Sequence, residues 1–401
     1  MLFRSSTAQV VDLARDAKAE GLTSARDCLD IQSGAKAMEK AARDLRLAVG
    51  VDAGRFSYEQ LQERPEFAPA LKTLEEEVAK FAAILETQAQ RAEGIEKCWQ
   101  RALELQQAFA QWQNLADLGY VRWGEAFTQS LQLNSTPLKV ADIFRKQMGG
   151  HPRAWIFTSA TLAVQGKFHH YCAELGLGDP DSACWHSPFD YGEQAVLYAP
   201  LGMPDPNAWN YTDTVVEAAW PAVKAAKGGA FFLCTSLRAM RRTHELLKAR
   251  LEDEGLDMPL LLQGEGSKND LLQRFRHLGN AILVGSQSFW EGVDVRGEAL
   301  SLVVIDKIPF APPDDPVLSA RIEEMKKQGR NAFIEYQLPR AVINVKQGAG
   351  RLIRDETDRG VLMICDPRLI SKPYGRKVWQ SLPPMKRTRE LQVVLDFFER
   401  R

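Results

Sequence analysis

Ala281-Ile282-Leu283-Val284-Gly285-Ser286-Gln287-Ser288-Phe289-Trp290-Glu291-Gly292-Val293-Asp294 joins an apolar run to a polar, glycine-containing turn. Its apolar beginning, closed by a glycine, reads as a short buried strand, and the polar turn behind it carries two carboxylates, Glu291 and Asp294. A second apolar run, Leu300 to Ile305, follows at once. Apolar runs of this length bounded by turn residues suit parallel strands buried on both faces. The ends of such strands are where α/β proteins place their ligands, so the turn is a candidate site by position.

Downstream lies Gln347-Gly348-Ala349-Gly350-Arg351-Leu352-Ile353-Arg354. Read as a helix, it puts Arg351 and Arg354 on one face, where two permanently charged, planar guanidinium forks can meet one anion. Gln347 falls one turn earlier on the same side. Gly350 has no Cβ and lets a backbone or ligand approach closely, at a helix-propensity cost of about 1 kcal/mol. A solvated amphipathic helix with two surface arginines has the same local pattern, so the neighbouring segments decide between the readings.

From about residue 166 to 401 the pattern is repeated strand and helix, the signature of a mostly parallel sheet with helices on both faces. Ala230-Phe231-Phe232-Leu233-Cys234 is a predicted strand, and Thr235-Ser236-Leu237-Arg238 opens a helix at its carboxyl end. Helix N-terminal amides with hydroxyls and arginines suit a phosphate; a Ser-Thr helix cap with a solvated basic face suits the same residues. Leu260–Leu262 is a further strand, and the glycine-rich Gln263–Lys268 behind it lacks the spacing of a phosphate loop. Lys307, at the end of the Ile305 strand, is a candidate phosphate contact. Ile308 to Pro316 must be an extended loop because its prolines supply no strand donors. Val361 to Cys365 is the last strand, and Leu391 to Phe398 a closing helix.

Residues 1–118 read as helical, with Leu71, Leu74, Val78, Phe81 and Leu85 at steps of three and four forming one apolar stripe. A second helix is predicted from about Ala92 to Leu115 through Ile95, Trp99, Leu103 and Trp112; the two halves suit an antiparallel bundle. Tyr120–Phe127 and Gln129–Leu133 alternate as paired strands would, Asn134–Pro137 reads as a turn, and Val140–Gln147 as a short helix. Ala154–Leu162 reads as an apolar strand whose end, Ser159-Ala160-Thr161, carries hydroxyls.

In this order, SFWEGVDVRG (288–297), VVIDKIPFAPPDDPV (303–317) and QGAGRLIR (347–354) resemble the second motor domain of the DinG-like branch of the XPD-type DNA helicases. Ser159-Ala160-Thr161 is similar to the family's motif that couples nucleotide state to DNA grip, and Ser187-Pro188-Phe189-Asp190-Tyr191 to a segment entering the second domain. The resemblance implies an α/β fold: a helical arch-like domain over 1–118, return strands of the first motor domain over 119–165, and a RecA-like second motor domain over 166–401. It implies ATP-driven unwinding from the five-prime end, in DNA repair or replication. Arg351 and Arg354 would then act on the γ-phosphate, with Gln347 positioning them and Gly292, Asp294 and Gly350 beside the nucleotide. Thr235, Ser236, Arg238, Ser288, Trp290 and Lys307 would line the single-stranded DNA path, where an aromatic ring can stack on a base.

The sequence also omits things. The family's ATP site needs a phosphate loop, with a lysine on the phosphates and a Ser or Thr on Mg²⁺, plus an acidic motif. The only Gly-Lys pair, Gly166-Lys167, is followed by Phe168, so the expectation is a chain that begins after those motifs and alone lacks ATPase activity. The six cysteines, Cys28, Cys98, Cys172, Cys184, Cys234 and Cys365, show no metal spacing, so the family's iron–sulfur cluster is not expected here, nor any other metal site. A formal net charge of -1 gives no whole-molecule attraction to polyanions, so a nucleic-acid path must be a local basic surface. No apolar run is long enough to span a membrane and no signal core follows Met1, which predicts a cytoplasmic protein. Two other readings remain at this point: a motorless DNA-binding or regulatory module acting with a partner chain, such as a separate first motor domain, and a metabolic α/β enzyme whose anion site mimics the motif.

Overall fold

The computed structural model describes residues 3–114, 119–150, 153–185, 187–286, 289 and 299–400. They form two compact units, one of Met1–Pro152, Glu174–Gly176 and Pro312–Ala332, the other of Arg153–Ala173, Leu177–Ala311 and Phe333–Arg401.

In the first unit the helices Thr7–Ser24, Leu29–Ala48, Phe67–Gln88 and Glu93–Asn114 enclose an apolar core. The stripe Leu71, Leu74, Val78, Phe81 and Leu85 is buried as its spacing predicts. In the Glu93–Asn114 helix the buried face runs through Ile95, Ala102, Leu105, Phe109 and Trp112, while Leu103 is exposed. The helical reading misses two strands here. β1 (Phe3–Ser6), β2 (Gly54–Ser57), β3 (Tyr120–Ala126) and β4 (Leu131–Pro137) form an antiparallel sheet in the order β1-β4-β3-β2. Asn134–Pro137, expected as a turn, is the second half of β4 and pairs with Tyr120–Trp123. The reason is non-local: Phe3 pairs with Ser135 across the length of the unit, and no window of neighbouring residues carries that information. The helix Pro316–Lys327 is part of this unit, capped by Asp315, whose carboxylate also takes Arg55 Nη1 at 2.8 Å.

The second unit is a seven-stranded sheet of β5 (Ala195–Tyr198), β6 (Ala230–Leu233), β7 (Leu260–Leu262), β8 (Ile282–Gly285), β9 (Leu302–Ile305), β10 (Gly360–Ile364) and β11 (Lys386–Thr388). The order is β11-β5-β10-β9-β6-β8-β7 and every pairing is parallel. Strands β5, β6, β8, β9 and β10 are buried at every position, which explains their continuous apolar sequence. Alternation still sorts them. Leu233, Leu283, Val303, Ile305, Leu362 and Ile364 meet the helices Lys268–Leu278 and Leu338–Ala349 on one face. Phe232, Val284, Val304 and Met363 meet Tyr211–Ala225, Leu237–Glu254 and Leu391–Glu399 on the other. Each such side chain contributes about 1.5–3 kcal/mol on burial, so this three-layer core fixes where every strand end lies.

Ala154–Thr158, expected as a strand, makes no ladder among the described residues. Ile156 is 83% exposed, and Trp155 stacks on Phe157 instead, with ring centroids 6.4 Å apart. An apolar run becomes a strand only when a neighbouring strand takes its backbone hydrogen bonds, and no ladder to this run forms among the described residues.

Candidate nucleotide and nucleic-acid site

Three adjacent strands, β6, β9 and β10, deliver polar residues at their carboxyl ends. After β6 come Cys234 and Thr235, after β9 Asp306 and Lys307, after β10 Cys365 and Asp366. The Asp306 carboxylate accepts from the Thr235 amide at 3.0 Å, the Thr235 hydroxyl at 3.2 Å and the Lys307 amide at 2.6 Å. Burial nevertheless pushes its pKa up to about 6, against the pull of those donors. Asp366 accepts from the Ile308 amide and, through both oxygens, from Arg368. Tyr211 donates its hydroxyl to the Asp306 and Cys365 carbonyls at 2.7 and 3.2 Å. The three strand ends are thus knotted by carboxylates, and burial pushes the thiols of Cys234 and Cys365 far up, away from nucleophilic use.

This arrangement gives three of the expected DNA contacts partners within the fold. The Thr235 hydroxyl faces Asp306, and Ser236 is the N-cap of Leu237–Glu254, accepting from the Ala239 amide at 3.1 Å. Lys307 turns its ammonium to the Pro206 carbonyl at 2.5 Å and over the Tyr211 ring. A half-buried amine has lower energy beside a carbonyl and an aromatic face than pointing at nothing. Of the predicted DNA contacts, Arg238 is the one with an exposed charged head among the described residues. Ser288, Trp290, Gly292 and Asp294 lie outside the described residues.

A correction to the sequence reading concerns the arginine motif. The helix Leu338–Ala349 stops before it: Gly350 is the C-cap, and Arg351 and Leu352 donate their amides only three residues back, to Gly348 and Ala349. Gly348 and Gly350 flank Ala349 in the last turn, and glycine loses the most backbone freedom in a helix. Arg351 and Arg354 therefore do not share a helix face. They bracket Leu352 and Ile353, both buried in the core, so that the apolar pair anchors the turn between two guanidinium side chains. The Arg354 and Asp355 amides donate to one oxygen of the buried Asp358, at 2.7 and 2.8 Å. From far upstream Gln194 reaches in, its Nε2 donating to the carbonyls of Asp355, Glu356 and Asp358 at 3.1, 2.9 and 3.0 Å. Gly360, opening β10, is required by closeness: a Cβ there would lie 2.5 Å from both the Ser301 carbonyl and Leu352.

Gln347 stands on the last turn of the helix with its side-chain oxygen buried and without a donor among the described residues. Beside it Lys346 donates to the Ala163 carbonyl at 2.8 Å, and burial holds its amine below the ordinary lysine range. That contact ties the helix to the segment carrying Ser159 and Thr161, where the Ser159 hydroxyl accepts from the Thr161 amide at 3.1 Å. Sequence reasoning missed Gln194, Asp306, Asp358 and Asp366. Two of these had a signal, since Val303-Val304-Ile305-Asp306 and Met363-Ile364-Cys365-Asp366 each end a buried strand in a carboxylate; Gln194 had none.

An all-parallel sheet with helices on both faces and an arginine loop leading into β10 defines a RecA-like α/β domain. Residues 219–385 match the helicase C-terminal domain family. The chain is 40% identical, over 98% of its length, to the ATP-dependent DNA helicase YoaA of Escherichia coli, and spans 61% of that protein. To the ATP-dependent helicase DinG of Mycobacterium tuberculosis it is 35% identical over 64% of the chain and 38% of the relative. A solved XPD helicase is similar in fold over 96% of this chain and 65% of that one, with TM-score 0.59 and 16% identity. Residues 219–385 are thus a helicase C-terminal domain, in a chain similar in sequence to the YoaA and DinG helicases and in fold to XPD.

Proposed function

We propose that this chain is the carboxyl-terminal portion of an ATP-dependent DNA helicase of the five-prime to three-prime type, acting in DNA repair or replication. The observation that carries the reading is the turn in which Arg351 and Arg354 bracket the buried pair Leu352-Ile353. Such a turn, pinned at both flanks, fits a role in which guanidinium groups meet the γ-phosphate as its charge spreads in the transition state. Gln347 would orient the phosphate end of the site, with Gly292 and Asp294 toward the nucleotide. Bound ATP would supply the phosphoryl group and its free energy. Among the described residues no cluster of three or more His, Cys, Asp or Glu side chains is placed to hold a metal ion; the Mg²⁺ that accompanies ATP in such a motor would be held by one or two protein groups and the phosphates themselves. A first motor domain would bring the phosphate loop and acidic motif, which this sequence lacks.

On the nucleic-acid side, Arg238 and the amides at the start of Leu237–Glu254 would meet backbone phosphates, with Ser288 and Trp290 on the same path. Lys346 on Ala163 supports a coupling role for Ser159 and Thr161, since a shift of the Leu338–Ala349 helix would pull on that segment directly. The exposed run Ala154–Thr158 fits an edge that gains its strand partner from the first motor domain.

The test is phosphate release with single-stranded DNA by the chain alone, by the chain with a separately made first motor domain, and by that mixture carrying Arg351→Ala or Arg354→Ala. No turnover alone, turnover in the mixture and its loss in the variants are expected. Turnover by the isolated chain that survives both substitutions would sink the reading. DNA binding with no turnover in any mixture would favour the motorless module instead.

A further inference from the structure

We infer that Gln194 and Asp358 are positioning residues for the arginine turn, setting where Arg351 and Arg354 stand without touching the nucleotide; the inference rests on the arginine reading proposed above. Three carbonyls of one short loop, those of Asp355, Glu356 and Asp358, converge on Gln194 Nε2 at 2.9–3.1 Å. Carbonyl dipoles pointed at one spot repel one another and need a donor between them. Gln194 is 8% exposed and Asp358 6%, so water does not readily replace either. The second half of the clamp has opposite polarity: Asp358 gathers the amides of Arg354 and Asp355 onto a single oxygen. One loop therefore has its carbonyls held from outside and its amides held from inside.

The origin of Gln194 matters. It ends the short helix Tyr191–Gln194, whose cap Asp190 accepts from the Gly192 and Glu193 amides, and it leads directly into β5. Strand β5 pairs with β10, Ala195 opposite Gly360. The glutamine is thus fixed to the strand next to the one that the arginine turn enters, and the clamp fixes the turn relative to the sheet. A displacement of about 1 Å in a catalytic group can cost on the order of 100-fold in rate, so a clamp on the backbone at Arg354 is a device for rate and not for nucleotide affinity.

Gln194→Glu keeps the size and removes the donor, leaving a carboxylate among three carbonyls. Asp358→Asn keeps one acceptor oxygen for the two amides, and Asp358→Ala keeps none. The first measurement is hydrogen exchange in the isolated chain. Gln194→Glu and Asp358→Ala should speed exchange of the Arg354 and Asp355 amides about 10-fold or more, with Asp358→Asn close to the parent. The Val361 amide, which donates to the Ser301 carbonyl just before the adjacent strand β9, should stay protected. Unchanged exchange at Arg354 and Asp355, or equal loss at Val361, would overturn the clamp.

The second measurement is kcat and KM for ATP in the mixture with a first motor domain. Gln194→Glu and Asp358→Ala should lower kcat about 10-fold or more with KM within about twofold, and Asp358→Asn should restore most of the rate. Parent-like kcat in Gln194→Glu beside collapse in Arg351→Ala would refute the positioning role and leave the arginine reading standing. Fast exchange in Gln194→Glu with Arg351→Ala and Arg354→Ala fully active would refute the arginine reading, and with it a positioning role for the clamp.

Discussion

Two loops at the edges of the second unit use their polar residues in opposite ways. At the ends of β6 and β9 the residues that look like ligand contacts in the sequence, Thr235, Ser236 and Lys307, serve the fold: a hydroxyl on Asp306, a helix cap, an ammonium on a carbonyl. In the loop before β10 the motif arginines are held by residues outside the motif, Gln194 and Asp358, together with the buried pair Leu352-Ile353. A hydroxyl or an amine counts as a binding group only if the fold has not already used it. The largest expected effect tests the second loop: in a reconstituted site, Arg351→Ala or Arg354→Ala should lower phosphate release by about 10³-fold or more, as loss of an arginine finger does.

The next effect tests the first loop. Asp306→Ala would strand the Thr235 and Lys307 amides and the Thr235 hydroxyl in a buried site, and should cost about 3 kcal/mol in denaturant unfolding. The carboxylate also predicts a pH dependence of definite sign. With a pKa raised to about 6 in the fold, Asp306 binds its proton more tightly folded than unfolded. The proton-linked part of its contribution is therefore fully present below pH about 4, declines as pH rises toward about 6, and is gone above that. Measured against Asp306→Asn, which does not titrate, the parent should lose about 2 kcal/mol of relative stability between pH 4 and pH 7. A flat difference would mean that the amide donors offset the burial.

Smaller is the effect expected at the junction of the arginine loop with the sheet. Gly360→Ala places a Cβ against a backbone carbonyl and Leu352, and should destabilise the chain by about 1–3 kcal/mol in a thermal or denaturant melt. Because Leu352 is one of the anchors of the arginine turn, kcat in the mixture should fall further than the melt alone accounts for. An alanine variant of parent stability would show that β10 can shift, and that the turn is less tightly tied to the sheet than its contacts imply.

How much of this was legible follows from the range of the forces involved. Residues buried on both faces of a parallel sheet must be apolar, so β6, β8, β9 and β10 stand out in the sequence, and the stripe from Leu71 to Leu85 follows from helix geometry alone. Strands β1 and β2 were not legible, because what makes Phe3–Ser6 a strand is β4, more than a hundred residues away. The arginine motif was visible as chemistry but misread as geometry: the spacing of Arg351 and Arg354 suggests a helix face, while Gly348 and Gly350 end the helix first. Gln194 was invisible. A lone glutamine after a turn has no signature, and its meaning comes from three carbonyls that the fold brings to it.

The smallest expected effect separates the two uses of charge directly. Arg238 is exposed at the start of its helix, whereas Lys307 is turned inward to Pro206 and Tyr211. Single-stranded DNA binding by the chain should weaken with salt, because each phosphate contact releases condensed counterions, and the slope of log K against log salt counts those contacts at about 0.7 per phosphate. Arg238→Ala should reduce the slope by about 0.7 and the affinity by a few-fold, on the order of 1 kcal/mol. Lys307→Ala should leave the slope unchanged and instead lower the melting temperature, since it releases the Pro206 carbonyl. A titration of labelled oligonucleotide at several salt concentrations reads both. If Lys307→Ala changes the slope as much as Arg238→Ala does, the lysine leaves its carbonyl for the phosphate when DNA arrives. The first loop would then resemble what is proposed for the second, a charge that meets the ligand on a scaffold supplied from elsewhere.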